Sequence, residues 1–396
     1  MSIHSLSAFL RRLVKEHKNK LKLFSITFVL YSLSIGNWVT SNDMNCIYLA
    51  DAFLKGRLDV TELPPIPIDL AFYNGKWYSP FPPLPSLLVA PAVYVLGLSY
   101  DVRYVTVFFG SINVVLARSL LQKTGMKNEE QRWLTLLFSF GSIHWFYSTT
   151  LFNHTYSVFF LLLALNEALS RNRPTLVGFY LGCAGLCRYP TLLGVPFFLL
   201  GLRRDHTKRN FALLILGLML PLSLLLYYNY ARFGNPLQTG YQYQVMLTGQ
   251  PKPYGIFDPR YMLTNLYMFF FEPMGFTKKF PYIVPRTKGL ALTFTTPASA
   301  LALKARTRDS KIIGLWGSTL LISTLDMCFA GRGGDQFGYR YGLDFFPFLF
   351  LLTSQGVKNS LNTPAKLLII IGTIVNLWGI LFFNGINLRI LSYFID

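Results

Sequence analysis

The residues with the most evident chemical use in this 396-residue chain are carboxylates and cations standing at the ends of apolar runs. Asp43 follows the first run and opens Ser41-Asn42-Asp43-Met44-Asn45-Cys46-Ile47-Tyr48. A carboxylate there can take a proton from an incoming hydroxyl; the plainer role for an Asp before a helix is an N-cap. Arg188 ends the small-residue run Gly182-Cys183-Ala184-Gly185-Leu186-Cys187-Arg188. An arginine inside apolar sequence is costly and marks function by default, as a phosphate ligand or as half of an internal ion pair. Arg340 and Asp344 follow the glycine-rich Gly331-Arg332-Gly333-Gly334-Asp335-Gln336-Phe337-Gly338, which lets backbone approach a ligand and carries Arg332 and Asp335. Arg340 and Asp344 read either as an i, i+4 pair or as a phosphate-holding guanidinium oriented by the carboxylate. Lys76 suits a phosphate or a snorkelling interfacial position. Tyr78, Tyr241 and Gln242 offer hydrogen bonds to a sugar, and His154 sits at a span boundary, where structural duty is the commoner use. No His-Glu-x-x-His, phosphate-binding Gly-x-x-x-x-Gly-Lys-Ser/Thr or Gly-x-Ser-x-Gly occurs. The four cysteines form no zinc-like pair of pairs. No cofactor is called for, and a divalent cation has no ligand cluster to receive it.

These residues are positioned by a chain that is 52% hydrophobic and only 14% charged, with 35 Phe, 23 Tyr and 6 Trp. Soluble domains carry about 25% charged residues. With a mean hydropathy of +0.38, the composition excludes a disordered chain, a disulfide scaffold and a cytosolic enzyme. It leaves an all-α polytopic membrane protein. The net charge of +19 suggests nucleic acid first, but Lys and Arg gathered on inner loops explain it better, so no nucleic-acid partner is expected. Apolar runs at 23–40, 83–99, 104–121, 133–150, 155–169, 175–202, 210–229, 290–303, 312–329, 341–357 and 367–383 predict about eleven spans, within 10–13. All belong to one membrane domain covering 1–396, with no separate soluble domain.

The basic segment 1–22 is expected inside, so the acidic loop 41–82 lies outside. Lys304, Arg306, Arg308 and Lys311 mark an inner turn, as do Lys358 and Lys366, which puts 230–289 and 330–341 outside as well. The basic stretch 278–288 resists this map. The segment 175–202 is either one kinked span or a hairpin bent at Arg188-Tyr189-Pro190; the hairpin requires another change of parity near 83–121. In the first outer loop, Ile47, Leu49, Ala50, Phe53 and Leu54 predict an amphipathic helix closed by Gly56 and lying on the membrane face. Asn74-Gly75 predicts a tight hairpin, and Pro82-Pro83 a stiff entry to the next helix. Residues 261–272 read as an interfacial helix of the second long outer loop.

An acidic residue opening the first outer loop, then Tyr48, Ala50, Leu54 and Gly56, then Pro82-Pro83-Leu84 entering the next run, resembles the GT-C superfamily of membrane glycosyltransferases. The resemblance is to the protein O-mannosyltransferase and lipid A aminoarabinose transferase type. It implies a GT-C-like fold and a sugar moved from a polyprenyl-phosphate-linked donor to a hydroxyl on a lipid, glycan or protein acceptor, among membrane lipids. It makes Asp43 the catalytic position. The second acid of the family's Asp-Glu pair is Met44 here, and the lysine of its Lys-Pro-Pro-Leu is Phe81. The implied setting is a bacterial cytoplasmic membrane with the site facing outside. The competing expectation is a lipid or lipid-linked oligosaccharide transporter without transfer chemistry, which needs charges along a path through the bilayer; Arg118 and Asp326 are the exceptions to a clustering of polar residues at the outer boundary.

Overall fold

The computed structural model describes residues 3–36, 39, 41–64, 69–170, 173–201, 207–245, 253–278, 282–286, 288–305, 309–331, 333–334 and 336–385. In chain order the helices are α1 (Ile3–Leu33), α2 (Ser41–Leu54), α3 (Leu84–Leu96), α4 (Arg103–Lys123), α5 (Asn128–Ser139), α6 (His144–Tyr147), α7 (His154–Ala168), α8 (Pro174–Gly185), α9 (Val195–Gly201), α10 (Thr207–Phe233), α11 (Met262–Phe270), α12 (Leu292–Thr295), α13 (Ser310–Met327), α14 (Gly342–Val357) and α15 (Thr363–Ile380). Alongside short 3-10 segments such as Tyr189–Gly194 and Pro297–Lys304 there are two short hairpins, β1 (Ala71–Tyr73) with β2 (Lys76–Tyr78) and β3 (Gly275–Phe276) with β4 (Ile283–Val284). Among the described residues three helices, Tyr100–Lys123, Lys208–Phe233 and Thr363–Phe383, are long and apolar enough to cross a membrane alone. Of the others, α1 is longer, at 31 residues, but strongly basic over its first half, and most of the rest are shorter and share the crossing with turns that neighbouring helices shield. Local chemistry starts several of them: Asp309 accepts from Lys311 N–H to open α13, and Asn362 from Ala365 N–H to open α15, with Pro364 in its first turn.

α14 is the axis of the bundle. Every residue from Gly342 to Ser354 is buried, including Phe345, Phe346, Phe348 and Phe350, so this helix is apolar all round. Its first turn carries Asp344. α8 and α10 cross at backbone contact: a Cβ on Gly178 would lie 1.9 Å from the Leu214 carbonyl oxygen, and one on Gly217 1.9 Å from that of Thr175. Small residues permit such approach between membrane helices.

Hydrogen bonds fix which helix ends lie together. At one end, Asp43 meets Leu151, Leu84 N–H donates to the Leu186 carbonyl (3.1 Å), and Arg103 reaches the Gly36 carbonyl (2.9 Å). At the other, Lys123 binds Asn166, Lys358 binds the Thr124 carbonyl, and Lys366 pairs with Glu129. Both ends of the run 83–99 therefore lie at the Asp43 end. The helix it forms, α3, does not cross; it packs along α2. The hydropathy expectation fails there because 13 apolar residues serve equally well against another helix. In 175–202 the chain reverses: Leu192 packs on Gly185 and Gly194 beside Leu181, so α8 and α9 are the two arms of the hairpin. One crossing is lost at 83–99 and one gained at 175–202, which leaves the expected number near eleven. The basic stretch after 278 stays at the Asp43 end, where Arg286 pairs with Glu272 and the Lys288 carbonyl accepts from Gln336. The expected helix in the second long loop is α11, and Asn74-Gly75 turns the β1–β2 hairpin with φ of 48° and 75°. α2 differs from expectation: Cys46, Ile47, Leu49, Ala50 and Ala52 are buried, so α3 covers it and it does not lie bare on the membrane face.

Candidate active site

The turn from Ser148 to His154, between α6 and α7, is the hub of the Asp43 end. Asp43 sits in the first turn of α2, fully buried, with Oδ1 accepting from Leu151 N–H at 2.5 Å. That bond to a distant segment is more than an N-cap provides. The turn itself is held from below by a polar network in the bundle core. Tyr31 Oη donates to the Ser139 carbonyl and Ser148 Oγ to the His144 carbonyl, both at 2.7 Å. Each thus presents a lone pair to His144 Nδ1, at 3.4 and 3.5 Å. Nδ1 therefore carries the hydrogen, and Nε2 accepts from Asn113 Nδ2 at 3.2 Å. The same Asn113 amide donates to the Thr155 carbonyl (2.9 Å), so α1, α4, α6 and α7 are tied together directly beneath the turn.

Arg188 stands at the tip of the α8–α9 hairpin and reaches α14. Its Nη2 lies 2.7 Å and its Nε 3.0 Å from Asp344 Oδ2, and Nη2 lies 4.0 Å from Asp326 Oδ1 on α13. Side-chain exposure is 11% for Arg188, 3% for Asp326 and 0% for Asp344. Asp344 thus serves Arg188, which is 156 residues away, and the expected i, i+4 pairing with Arg340 is not formed. The reason is geometric: Asp344 points into the core from the buried axis helix, whereas Arg340 lies in the loop before it. Breaking a buried pair by removing one partner costs about 3–5 kcal/mol. Asp344→Ala is expected to lower thermal stability by an effect of that order, and Arg188→Met with both Asp344→Leu and Asp326→Leu to recover most of it. Equal melting of Asp344→Ala and the unmodified protein in detergent would show that the pair does not stabilise the fold.

Arg340 donates to the Gly334 carbonyl (3.0 Å), and its guanidinium carbon lies 5.0 Å from the Phe152 ring and 5.3 Å from that of Tyr341. Among the described residues no carboxylate lies within salt-bridge distance of it. His154 is buried between the rings of Tyr147, Phe152 and Tyr341, at 5.9, 6.1 and 6.1 Å. Asp43, His154, Arg188, Arg340 and Asp344 are therefore linked through one turn and one ring. Tyr241 is buried nearby, 5.7 Å from Phe329 and 6.5 Å from Tyr189; Gln242 beside it is exposed. Tyr78 packs on Phe233 (5.4 Å) at the edge of the region. Lys76 is exposed on the hairpin, where its charge adds to the Arg57 hydrogen bond in holding the Asp59 carboxyl below the usual carboxylate range. Arg332 and Asp335 lie outside the described residues. Among the described residues no three His, Cys, Asp or Glu gather to hold a metal ion.

Three residues of this region were not picked out as site residues by the sequence. They are Asp326, which the sequence marks only as an exception to the clustering of polar residues at the outer boundary, Tyr341 and Arg232. Arg232 is 3% exposed, donates to the Ser79 carbonyl and to Asn229 Oδ1, and lies over the Tyr228 ring at 3.6 Å. Its sequence signal is the one that singled out Arg188, an arginine closing a long apolar run.

No family model matches the chain and no curated protein is similar to it in sequence. Solved structures do resemble it. ArnT from Cupriavidus metallidurans in the apo state superposes with a TM-score of 0.54 at 12% identity, over 92% of this chain and 63% of ArnT. The same protein bound to undecaprenyl phosphate gives 0.58 at 11% identity, over 90% and 62%. The chain thus spans less than two thirds of the ArnT chain. Over nine tenths of its own length it shares the fold of ArnT, a predominantly helical architecture.

Proposed function

We propose that the protein is an integral-membrane glycosyltransferase of GT-C type, moving a sugar from a polyprenyl-phosphate carrier to an acceptor hydroxyl. The observation that carries this reading is the ArnT fold, one of whose solved forms is bound to undecaprenyl phosphate. The grouping of Asp43 with several guanidiniums at one end of the bundle agrees with it. In the reaction, the acceptor oxygen gives its proton to Asp43 and bonds to the anomeric carbon. The bond from that carbon to the phosphate oxygen breaks, and its electron pair leaves on the phosphate. The acceptor thus needs a base and the departing phosphate needs cations. Asp43 is the base; Arg340 and Arg232 supply positive charge with no carboxylate within salt-bridge distance among the described residues, whereas Arg188 is paired with Asp344. A transporter would need ionisable groups spaced through the bilayer, and here Asp43, Arg188, Asp326, Asp344, Arg232 and Arg340 lie at one end. The test is to incubate purified protein with a panel of prenyl-phosphate sugars and acceptors; donor loss with glycosylated product is expected, and an intact donor across the panel overturns the reading.

The site faces away from the cytoplasm in this proposal, as in a bacterial cytoplasmic membrane, because the opposite end carries Lys123, Lys358 and Lys366. Asn74 and Gly334 are exposed at the Asp43 end, Leu237 is 80% exposed, and Asn128 is exposed at the other. In a cysteine-free background, Asn74→Cys, Leu237→Cys and Gly334→Cys should react with an impermeant thiol reagent on intact cells, and Asn128→Cys only after permeabilisation. The reverse pattern would invert the orientation. Gln336 is unsuited to this test, being fully buried.

A further inference from the structure

Four buried polar atoms around one aromatic ring have no hydrogen-bond partner among the described residues: His154 Nδ1, His154 Nε2, Asp326 Oδ2 and Tyr339 Oη. Their residues are 2%, 3% and 1% exposed respectively. Buried polar groups are nearly always paired, and each exception calls for a cause. Elsewhere the unpaired atom is often one half of a satisfied amide, as in Asn113, Asn265 and Asn376, whose nitrogens all donate. Here an imidazole is unpaired at both nitrogens. The ring they share is Tyr341. Tyr339 lies 5.6 Å and His154 6.1 Å from it, centroid to centroid. The Arg188 guanidinium that approaches Asp326 is 5.4 Å from the same ring.

We propose that this cluster, with Tyr341 as its apolar platform, seats the sugar ring of the donor. The proposal rests on the transferase reading above and specifies the part of the substrate recognised there. The chemistry of the four atoms favours a polyhydroxylated ring over the other parts of such a donor. The Asp326 oxygen accepts, the Tyr339 hydroxyl donates or accepts, and a neutral imidazole does one of each. Hydroxyl groups answer all of these, since each both donates and accepts. A phosphate has no hydrogen to give Asp326 and would meet its charge, because Arg188, the guanidinium that approaches Asp326, is already held by Asp344. A prenyl chain would leave every polar atom unpaired. Arg340 lies on the Phe152 side of Tyr341, next to Leu151 and hence to Asp43. A sugar on Tyr341 would therefore direct its phosphate toward Arg340 and its anomeric carbon toward the base.

Such atoms burden the unliganded protein and serve only the ligand, so their removal has two effects of opposite sign. In Tyr339→Phe and in His154→Leu, thermal stability of the unliganded protein should hold or rise. Affinity is measured for farnesyl phosphate alone and for farnesyl phosphate carrying hexoses and pentoses in turn. The sugar that most strengthens binding to the unmodified protein defines an increment over the bare carrier. That increment should fall about tenfold in each variant, as the loss of one good hydrogen bond, with bare farnesyl phosphate bound as before. An unchanged increment, or lower stability with an unchanged increment, overturns the sugar seat. So does unmodified protein that binds the bare carrier and gains nothing from any sugar. Failure of the unmodified protein to bind farnesyl phosphate at all overturns instead the transferase reading and takes the sugar seat with it.

Discussion

Asp43→Asn is expected to lower turnover about 100-fold or more while leaving the protein folded and able to bind its donor. The magnitude is that of removing a positioned general base, about 2.7 kcal/mol or more on the barrier. The variant is well chosen because of what Asp43 does in the fold. Its Oδ1 accepts from Leu151 N–H, and the carbonyl oxygen of an asparagine accepts the same bond. Size and the link between α2 and the 148–154 turn are kept; only basicity is lost. Asp43→Ala is the contrasting variant. It leaves the Leu151 amide unpaired in a buried place, at about 1–3 kcal/mol, so it should lose both activity and stability. Measuring donor turnover and melting on the same preparations separates the two. Asparagine turnover near that of the unmodified protein would remove Asp43 from the base role.

What the sequence made legible here was local. Asn74-Gly75 is a turn wherever it occurs between two aromatic arms, and it forms the hairpin. Asp43 stands out in the sequence because a carboxylate following an apolar run suits a base as well as an N-cap. The pairings that build the site are a different matter. Arg188 and Asp344 are 156 residues apart, and no spacing rule relates them; the nearby Arg340 was the natural partner only because it is close in sequence. The run 83–99 has the hydropathy of a span and none of its function, since a greasy helix lies equally well against α2 as against lipid. Hydropathy measures what a segment must avoid, which is water, and not what it touches. The hairpin at Arg188-Tyr189-Pro190 was likewise signalled by its proline, yet its direction follows only once the 150–154 turn is joined to Asp43. Tyr341 escaped notice because one tyrosine among 23 carries no signal until its neighbours are known.

Arg340→Ala is expected to weaken donor binding by about 2–4 kcal/mol, about 30- to 1,000-fold in affinity, with little change in stability. The asymmetry between the two arginines nearest Tyr341 is the reason. Arg188 is committed to Asp344 and approaches Asp326; its removal leaves two buried carboxylates without a cation, so Arg188→Ala is a folding defect before it is a binding defect. Arg340 touches a carbonyl and two rings and, among the described residues, no acid. Its removal strands no opposite charge. Its positive charge is therefore available to an anion, and the adjoining Phe152 and Tyr341 rings keep water from competing for it. Arg340→Lys should retain part of the binding, because an ammonium keeps the charge but not the planar fork that grips two phosphate oxygens. Bare farnesyl phosphate is the discriminating ligand, since it offers the phosphate without the sugar. A loss seen equally with bare and sugar-bearing carrier locates Arg340 at the phosphate. A loss confined to the sugar-bearing form would move it into the sugar seat, and full affinity in Arg340→Ala would leave the leaving group to Arg232.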